Sequence, residues 1–190
     1  MQFSSGQLYH VYNRGNNKQD IFFEEDNYKF FLGKVVKELG AYADLLGYCL
    51  MPNHYHLLIC VRPSDLDSAS ELSAKVSRKI GTIQSSYTRA INKRFHRTGS
   101  LFQQKAKAKN VEMYGLVCLN YIHQNPVRAG FCYDLNEWKY CSYGSFVGTN
   151  QDGIVDTEMA LHRLELPTDS IEFANVSRQG IDCQELNIFL

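Results

Sequence analysis

Two histidines, a tyrosine and an asparagine are the residues of this chain best suited to chemistry. His54 and His56 flank a single Tyr55 inside the apolar run Leu50-Met51-Pro52-Asn53-His54-Tyr55-His56-Leu57-Leu58-Ile59-Cys60-Val61. On a β-strand alternate side chains share a face, so both imidazoles point one way and Tyr55 the other. Two neutral imidazoles side by side form a two-toothed claw for a divalent cation. The same pattern also suits two hydrogen-bonded histidines in a half-buried strand. A second group lies in Asn120-Tyr121-Ile122-His123-Gln124-Asn125-Pro126-Val127-Arg128-Ala129-Gly130. Tyr121 and Asn125 are i and i+4, on one face of a helix. Asn125 could offer a carbonyl oxygen to a cation on the histidines, with the Tyr121 phenol beside it. With 12 tyrosines in the chain, a packing aromatic followed by an Asn-Pro helix stop is the competing reading.

Several elements must position these groups. Leu8 to Asn13 alternates like a strand, and Arg14-Gly15-Asn16-Asn17 breaks it with turn residues. Glu24-Glu25-Asp26-Asn27 opens a helix whose apolar positions Tyr28, Phe31, Leu32, Val35, Val36 and Leu39 follow a 3.6-residue period, ended by Gly40. Tyr42–Met51 and His54–Val61 read as strands joined by a Pro52-Asn53 turn. A long basic helix runs to about Asn92, Phe102–Val111 alternates weakly as a fourth strand, and a last core helix spans about Glu112–Asn125, halted by Pro126. The order β-α-β-β-α-β-α predicts an α+β fold, a ferredoxin-like split βαβ with an added C-terminal helix. Residues 1–148 form the expected catalytic domain, and 149–190 an acidic extension with one helix near Asp156–Leu164.

Composition narrows the class. At 190 residues, 44% hydrophobic and 13% aromatic, the chain suits one well-packed domain. No apolar run approaches the roughly 20 residues that span a bilayer, and the N-terminus lacks a signal-peptide pattern. Cys49, Cys60, Cys118, Cys132, Cys141 and Cys183 show no CxxC spacing, which points to reduced thiols and a cytoplasmic location. The net charge of zero hides an asymmetry: residues 1–145 hold 18 Lys/Arg against 12 Asp/Glu. From Leu72 to Val111 there is no acid, but there are ten bases: Lys75, Arg78, Lys79, Arg89, Lys93, Arg94, Arg97, Lys105, Lys107 and Lys109. Forty residues of one sign suggest a footprint for a polyanion, the alternative being a merely soluble basic face. The acidic extension could mask that surface.

The motif Met51-Pro52-Asn53-His54-Tyr55-His56-Leu57-Leu58, followed by Tyr121 to Gly130, resembles the single-tyrosine HUH transposases, and within them the REP-associated tyrosine transposase branch. Tyr9-His10-Val11-Tyr12-Asn13-Arg14-Gly15-Asn16-Asn17 resembles the opening motif of that branch. Gly99-Ser100-Leu101-Phe102-Gln103-Gln104 and Trp138-Lys139-Tyr140-Cys141-Ser142-Tyr143 are similar to later ones. Five blocks in order cover about residues 7–148. The resemblance implies metal ligation by His54 and His56, a polar third ligand at Asn125, and Tyr121 as nucleophile. It also implies hairpin-bearing DNA as substrate. Departures are the C-terminal extension and a near-neutral charge.

The residues suit that chemistry on their own terms. A divalent ion can bind a non-bridging phosphate oxygen and the leaving 3′ oxygen. Imidazole ligands tilt the choice toward Mn²⁺, abundance toward Mg²⁺. A tyrosine with an ordinary pKa near 10 must lose its proton to attack, and a nearby cation eases that. The expected product is a 5′-phosphotyrosine adduct and a free 3′-hydroxyl. The reading is therefore a metal-dependent single-stranded DNA nickase and strand transferase, acting alone or as a homodimer. Arg14, Asn16 and Asn17 could read bases near the cut, or simply close a β-turn. His10 is a candidate proton acceptor and His123, facing away, a structural residue. The alternatives are a replication-initiator or relaxase-like nickase and a non-catalytic nucleic-acid-binding module.

Overall fold

Both faces of one sheet are covered, which is why its central strands read as near-continuous apolar runs. The structure is a computed structural model that describes residues 1–150 and 153–182. Cys183 and the end of the acidic extension lie outside the described residues. β1 (Leu8–Arg14), α1 (Glu25–Leu39), β2 (Ala43–Met51), β3 (His54–Val61), α2 (Ala69–Arg94) and β4 (Lys107–Asn110) follow one another in the expected sequence. The strands pair antiparallel in the order β2-β3-β1-β4, the ferredoxin-like split βαβ arrangement. All of β2, and all of β3 after His54, is buried.

Alternation sorts the two faces. Tyr9, Val11, Tyr55, Leu57, Ile59 and Val61 join a core with α1 and α2. Leu8, Leu58 and Cys60 face the opposite way, toward α3 (Gly115–Arg128). On α2, Leu72, Val76, Ile80, Ile83, Tyr87 and Ile91 are buried at helical spacing, each contributing about 1.5–3 kcal/mol when fully removed from water. A capping box between Ser68 and Glu71 starts that helix. On α1 five of the six expected positions are buried, but Val36 is 47% exposed.

Three expectations need correction. β4 is four residues long, not ten. Phe102 is instead held by an isolated bridge to Gly15, and Asn16 N donates to Leu101 O. The last core helix starts at Gly115, after a 3₁₀ turn at Glu112–Tyr114, and Leu164 and Leu8 pack close at that point. A Cβ on Gly115 would sit 2.5 Å from Leu164 Cδ2. Pro126 does not stop this helix, which runs on to Arg128. In the last turn it forfeits a single intrahelical bond, and Ala129 N→Asn125 O and Phe131 N→Pro126 O close the end.

The acidic segment is more structured than its sequence suggests. After α4 (Tyr143–Phe146), the expected helix appears as α5 (Thr157–Arg163), and a further one, α6 (Ser170–Ser177), follows. Ala160, Leu164, Leu166 and Phe173 are buried on the α3 side of the sheet. Phe173 stacks on Phe146 at 4.8 Å. Gln124 Nε2 donates to Ser177 O and Gln179 O, both at 2.8 Å. Helices α5 and α6 thus lie on the face away from α2. Phe173→Ala should lower unfolding free energy by about 3–5 kcal/mol in a urea titration. A change under about 0.5 kcal/mol would show that the segment merely rests on the surface.

Candidate active site

The alternation of β3 and the docking of α3 bring the four sequence-predicted residues together. His54 and His56 face α3 with ring centroids 5.0 Å apart and planes near perpendicular. Tyr121 presents its ring edge-on to His56 at 5.5 Å. One turn on, Asn125 Nδ2 donates to Tyr121 O at 2.7 Å, and the same amide interacts with the His54 ring and the Tyr121 hydroxyl. All four belong to one chain.

The histidines are held in a definite way. His54 Nδ1 is 2.5 Å from Asn53 Oδ1, an acceptor, so Nδ1 carries the proton and Nε2 the lone pair. Asn53 is fixed in turn by its Nδ2 bond to Lys18 O. His56 Nδ1 lies 2.8 Å from His10 Nε2, and His56 Nε2 is buried with no hydrogen-bond partner. Burial pushes the His56 imidazole well below its usual pKa, with the His10 and His54 charges adding to the effect. His54 is lowered chiefly by burial, opposed by Asn125. A neutral ring whose Nε2 makes no hydrogen bond, as in His56, is the metal-ligating form. Among the described residues no group of three or more His, Cys, Asp or Glu forms a metal site. Asn125, whose amide interacts with the His54 ring, carries an oxygen that could complete an N, N, O set for a divalent cation with open positions.

Tyr121 is 6% exposed. Burial raises its pKa, while the Asn125 hydrogen bond and the Arg128 charge pull it back. The site opens through a cleft of about 270 Å³ lined by Tyr12, Arg14, His54, His56, Lys107 and Tyr121. His10 is buried, and burial together with Lys109 lowers its pKa to about 3. Its Nε2 is turned to His56 rather than serving the Tyr121 hydroxyl. His123 is buried and its Nε2 meets Ser142 Oγ at 2.9 Å, a structural tie.

The polar and basic residues divide by place. Arg14 reaches Gln103 Oε1 through Nε at 2.5 Å beside the cleft. Asn16 and Asn17 lie in an exposed 3₁₀ turn, where Asn17 and Lys18 hold left-handed backbone (φ 52° and 59°), conformations often found strained at functional sites. Lys107 lines the cleft, Lys105 is exposed just before it, and Lys109 sits 5.9 Å over the Tyr12 ring. The α2 cations lie across the sheet. Lys75 pairs with Asp67, Lys79 with Glu38 and Arg94 with Glu24. Arg78, Arg89 and Lys93 are exposed there, and Arg97 packs over Phe23 at 5.6 Å. Sequence reasoning missed Asn53 and Tyr12. Position beside His54 flags the first, and strand alternation from His10 the second.

Comparison with protein families settles the kinship. The family described as "Transposase IS200 like" matches residues 4–125. The chain belongs to the IS200-like transposase family. A comparison with curated proteins found no match. Among solved structures, a REP-associated tyrosine transposase bound to a REP hairpin aligns at TM-score 0.59 and 16% identity, covering 83% of this chain and 86% of that one. The two share a fold. A transposase candidate from Deinococcus radiodurans R1 aligns at TM-score 0.37 and 18% identity over 57% of this chain and 85% of that one. A bacterial tRNA(His) guanylyltransferase-like protein with ATP gives 0.42 and 12% over 88% and 74%. Arg14 and Lys107 are the arginine and lysine side chains that line the cleft. Lys107→Ala or Arg14→Ala should therefore weaken single-stranded DNA binding and lower the salt slope by about 1. Lys79→Ala should change affinity less than twofold in the same anisotropy titration.

Proposed function

We propose that this transposase nicks single-stranded DNA and transfers the strand through a covalent bond to Tyr121, at sites flanked by hairpins. The observation that carries the reading is the placement of the Tyr121 ring edge-on to His56, whose buried Nε2 has no hydrogen-bond partner. In the reaction, Tyr121 Oη forms a bond to phosphorus as the bond from phosphorus to the 3′ oxygen breaks. The phenol proton passes to water in the cleft and the 3′ oxygen leaves as a hydroxyl. A 3′-hydroxyl of another strand reverses these steps and regains the free tyrosine, so no outside energy source is needed. A divalent ion, Mg²⁺ or Mn²⁺, held by His54, His56 and Asn125 would neutralise charge on the phosphate and the leaving oxygen.

The residues of the chain do the rest. Asn125 bonds to the Tyr121 hydroxyl and, with Arg128, offsets the cost of ionising a buried phenol. Arg14 and Lys107 border the cleft where the phosphodiester would lie. Asn16 and Asn17 stand ready to contact bases next to the cut, and the exposed α2 cations would engage more distant phosphates. A single chain holds the histidines, Asn125 and Tyr121, so the reading needs no second copy. The fold shared with a transposase bound to a hairpin supports a hairpin-bearing substrate. Reduced cysteines, four of the five described ones buried, suit a cytoplasmic enzyme.

A covalent-trapping gel tests this, using Mn²⁺ or Mg²⁺ and labelled single-stranded hairpins. The wild-type chain should give an adduct that EDTA and Tyr121→Phe each abolish, with DNA affinity kept in the variant. An adduct that survives Tyr121→Phe would move the nucleophile elsewhere. Salt-sensitive binding with no adduct under any condition would mark a non-catalytic binding module.

A further inference from the structure

We propose that His10 is a positioning residue: it holds His56 in the tautomer that presents Nε2 to the divalent cation. The inference rests on the metal reading above and names the residue that makes His56 a competent ligand. His10 Nε2 and His56 Nδ1 are 2.8 Å apart, and the two side chains are 0% and 5% exposed. The β1–β3 register sets His10 opposite Leu58 and Tyr12 opposite His56. The two histidines are thus diagonal neighbours on one face, within side-chain reach. Tyr12 stacks on His10 at 4.7 Å, and Tyr121 meets its edge at 5.9 Å. The ring cannot turn away without unpacking both.

Two neutral imidazoles can share such a bond in two ways. If His10 Nε2–H donates, His56 Nδ1 is the acceptor and the His56 proton sits on Nε2. That proton would be buried without an acceptor, since His56 Nε2 has no hydrogen-bond partner, and the ligand lone pair would be gone. If His56 Nδ1–H donates to His10 Nε2, the lone pair on His56 Nε2 faces Tyr121 and the cleft. The second arrangement moves the His10 proton to Nδ1, which is also buried, so the two cost about the same in hydrogen bonds. Only the second supplies the ligand, and a cation at His56 Nε2 needs the acceptor that His10 Nε2 provides. Metal-bound histidines ordinarily hand their other N–H to a carboxylate, a carbonyl or water. His54 follows that rule through Asn53 Oδ1. His56 has a neutral imidazole instead, which orients the ring without bringing a negative charge into the site.

The experiment is a Mn²⁺ titration of the full chain read by electron paramagnetic resonance, with thermal unfolding in EDTA as a control on folding. His56→Ala should abolish the high-affinity site. His10→Leu, which removes the acceptor, should raise the Mn²⁺ dissociation constant about 10- to 100-fold. His10→Gln, whose amide oxygen can take the place of Nε2, should recover most of that loss. If Mn²⁺ binding is absent or ignores His56→Ala, the metal reading fails and this inference with it. If His56→Ala abolishes binding but His10→Leu leaves it unchanged, only the inference is overturned. Should His10→Leu not fold, ¹⁵N spectra of the metal-free wild-type chain decide: Nδ1–H on His56 supports the proposal and Nε2–H overturns it.

Discussion

The close approach of α3 to β2 is the constraint on which the site depends. It occurs at Gly47, where the β2–β3 register shifts and a side chain would collide with the helix. A Cβ there would lie 2.4 Å from Leu119 Cδ1. Glycine in a strand interior often marks such a backbone approach. Beside it, Ser142 Oγ accepts from Tyr48 N at 2.9 Å and meets His123 Nε2 at the same distance. His123 is two residues from Tyr121 on the opposite side of α3. One hydroxyl therefore ties α3 to β2 two residues from Tyr121.

Burial does two jobs at this contact. It removes the imidazoles from water, which favours the neutral form and hence the ligand form. It also disfavours the phenolate that a tyrosine nucleophile needs. The two effects conflict on Tyr121: Asn125 and Arg128 act against burial, while Cys118 and Tyr12 add to it more weakly. A site built from neutral donors leaves the positive charge of a bound cation uncancelled by protein carboxylates, so more of it is available to phosphate and phenol oxygens.

The sequence disclosed local relations well. His54 and His56 share a face because strands have a period of two, and Tyr121 and Asn125 share one because helices repeat near four. Element order was enough for the split βαβ topology. Relations set by packing were not visible. The ten cations from Lys75 to Lys109 are one run in sequence but lie on two sides of the sheet, with three tied in ion pairs across from the cleft. Pro126 read as a stop because the local rule concerns the residue before it, while its place in the final turn made the cost small. Helix α6 has weak amphipathic patterning, and its burial comes from Phe173 packing on Phe146 and His123.

The lysines of β4 have a second consequence. β2 is shielded along its outer edge: Leu50 N donates to Tyr140 O, Ser142 N to Tyr48 O, and Asp156 N to Leu45 O. At the other end of the sheet, β4 is short and carries Lys107 and Lys109 on either side of Ala108. Lysines on a brief edge strand discourage a second sheet from adding to it. The charge that faces the cleft is thus also a guard against self-association.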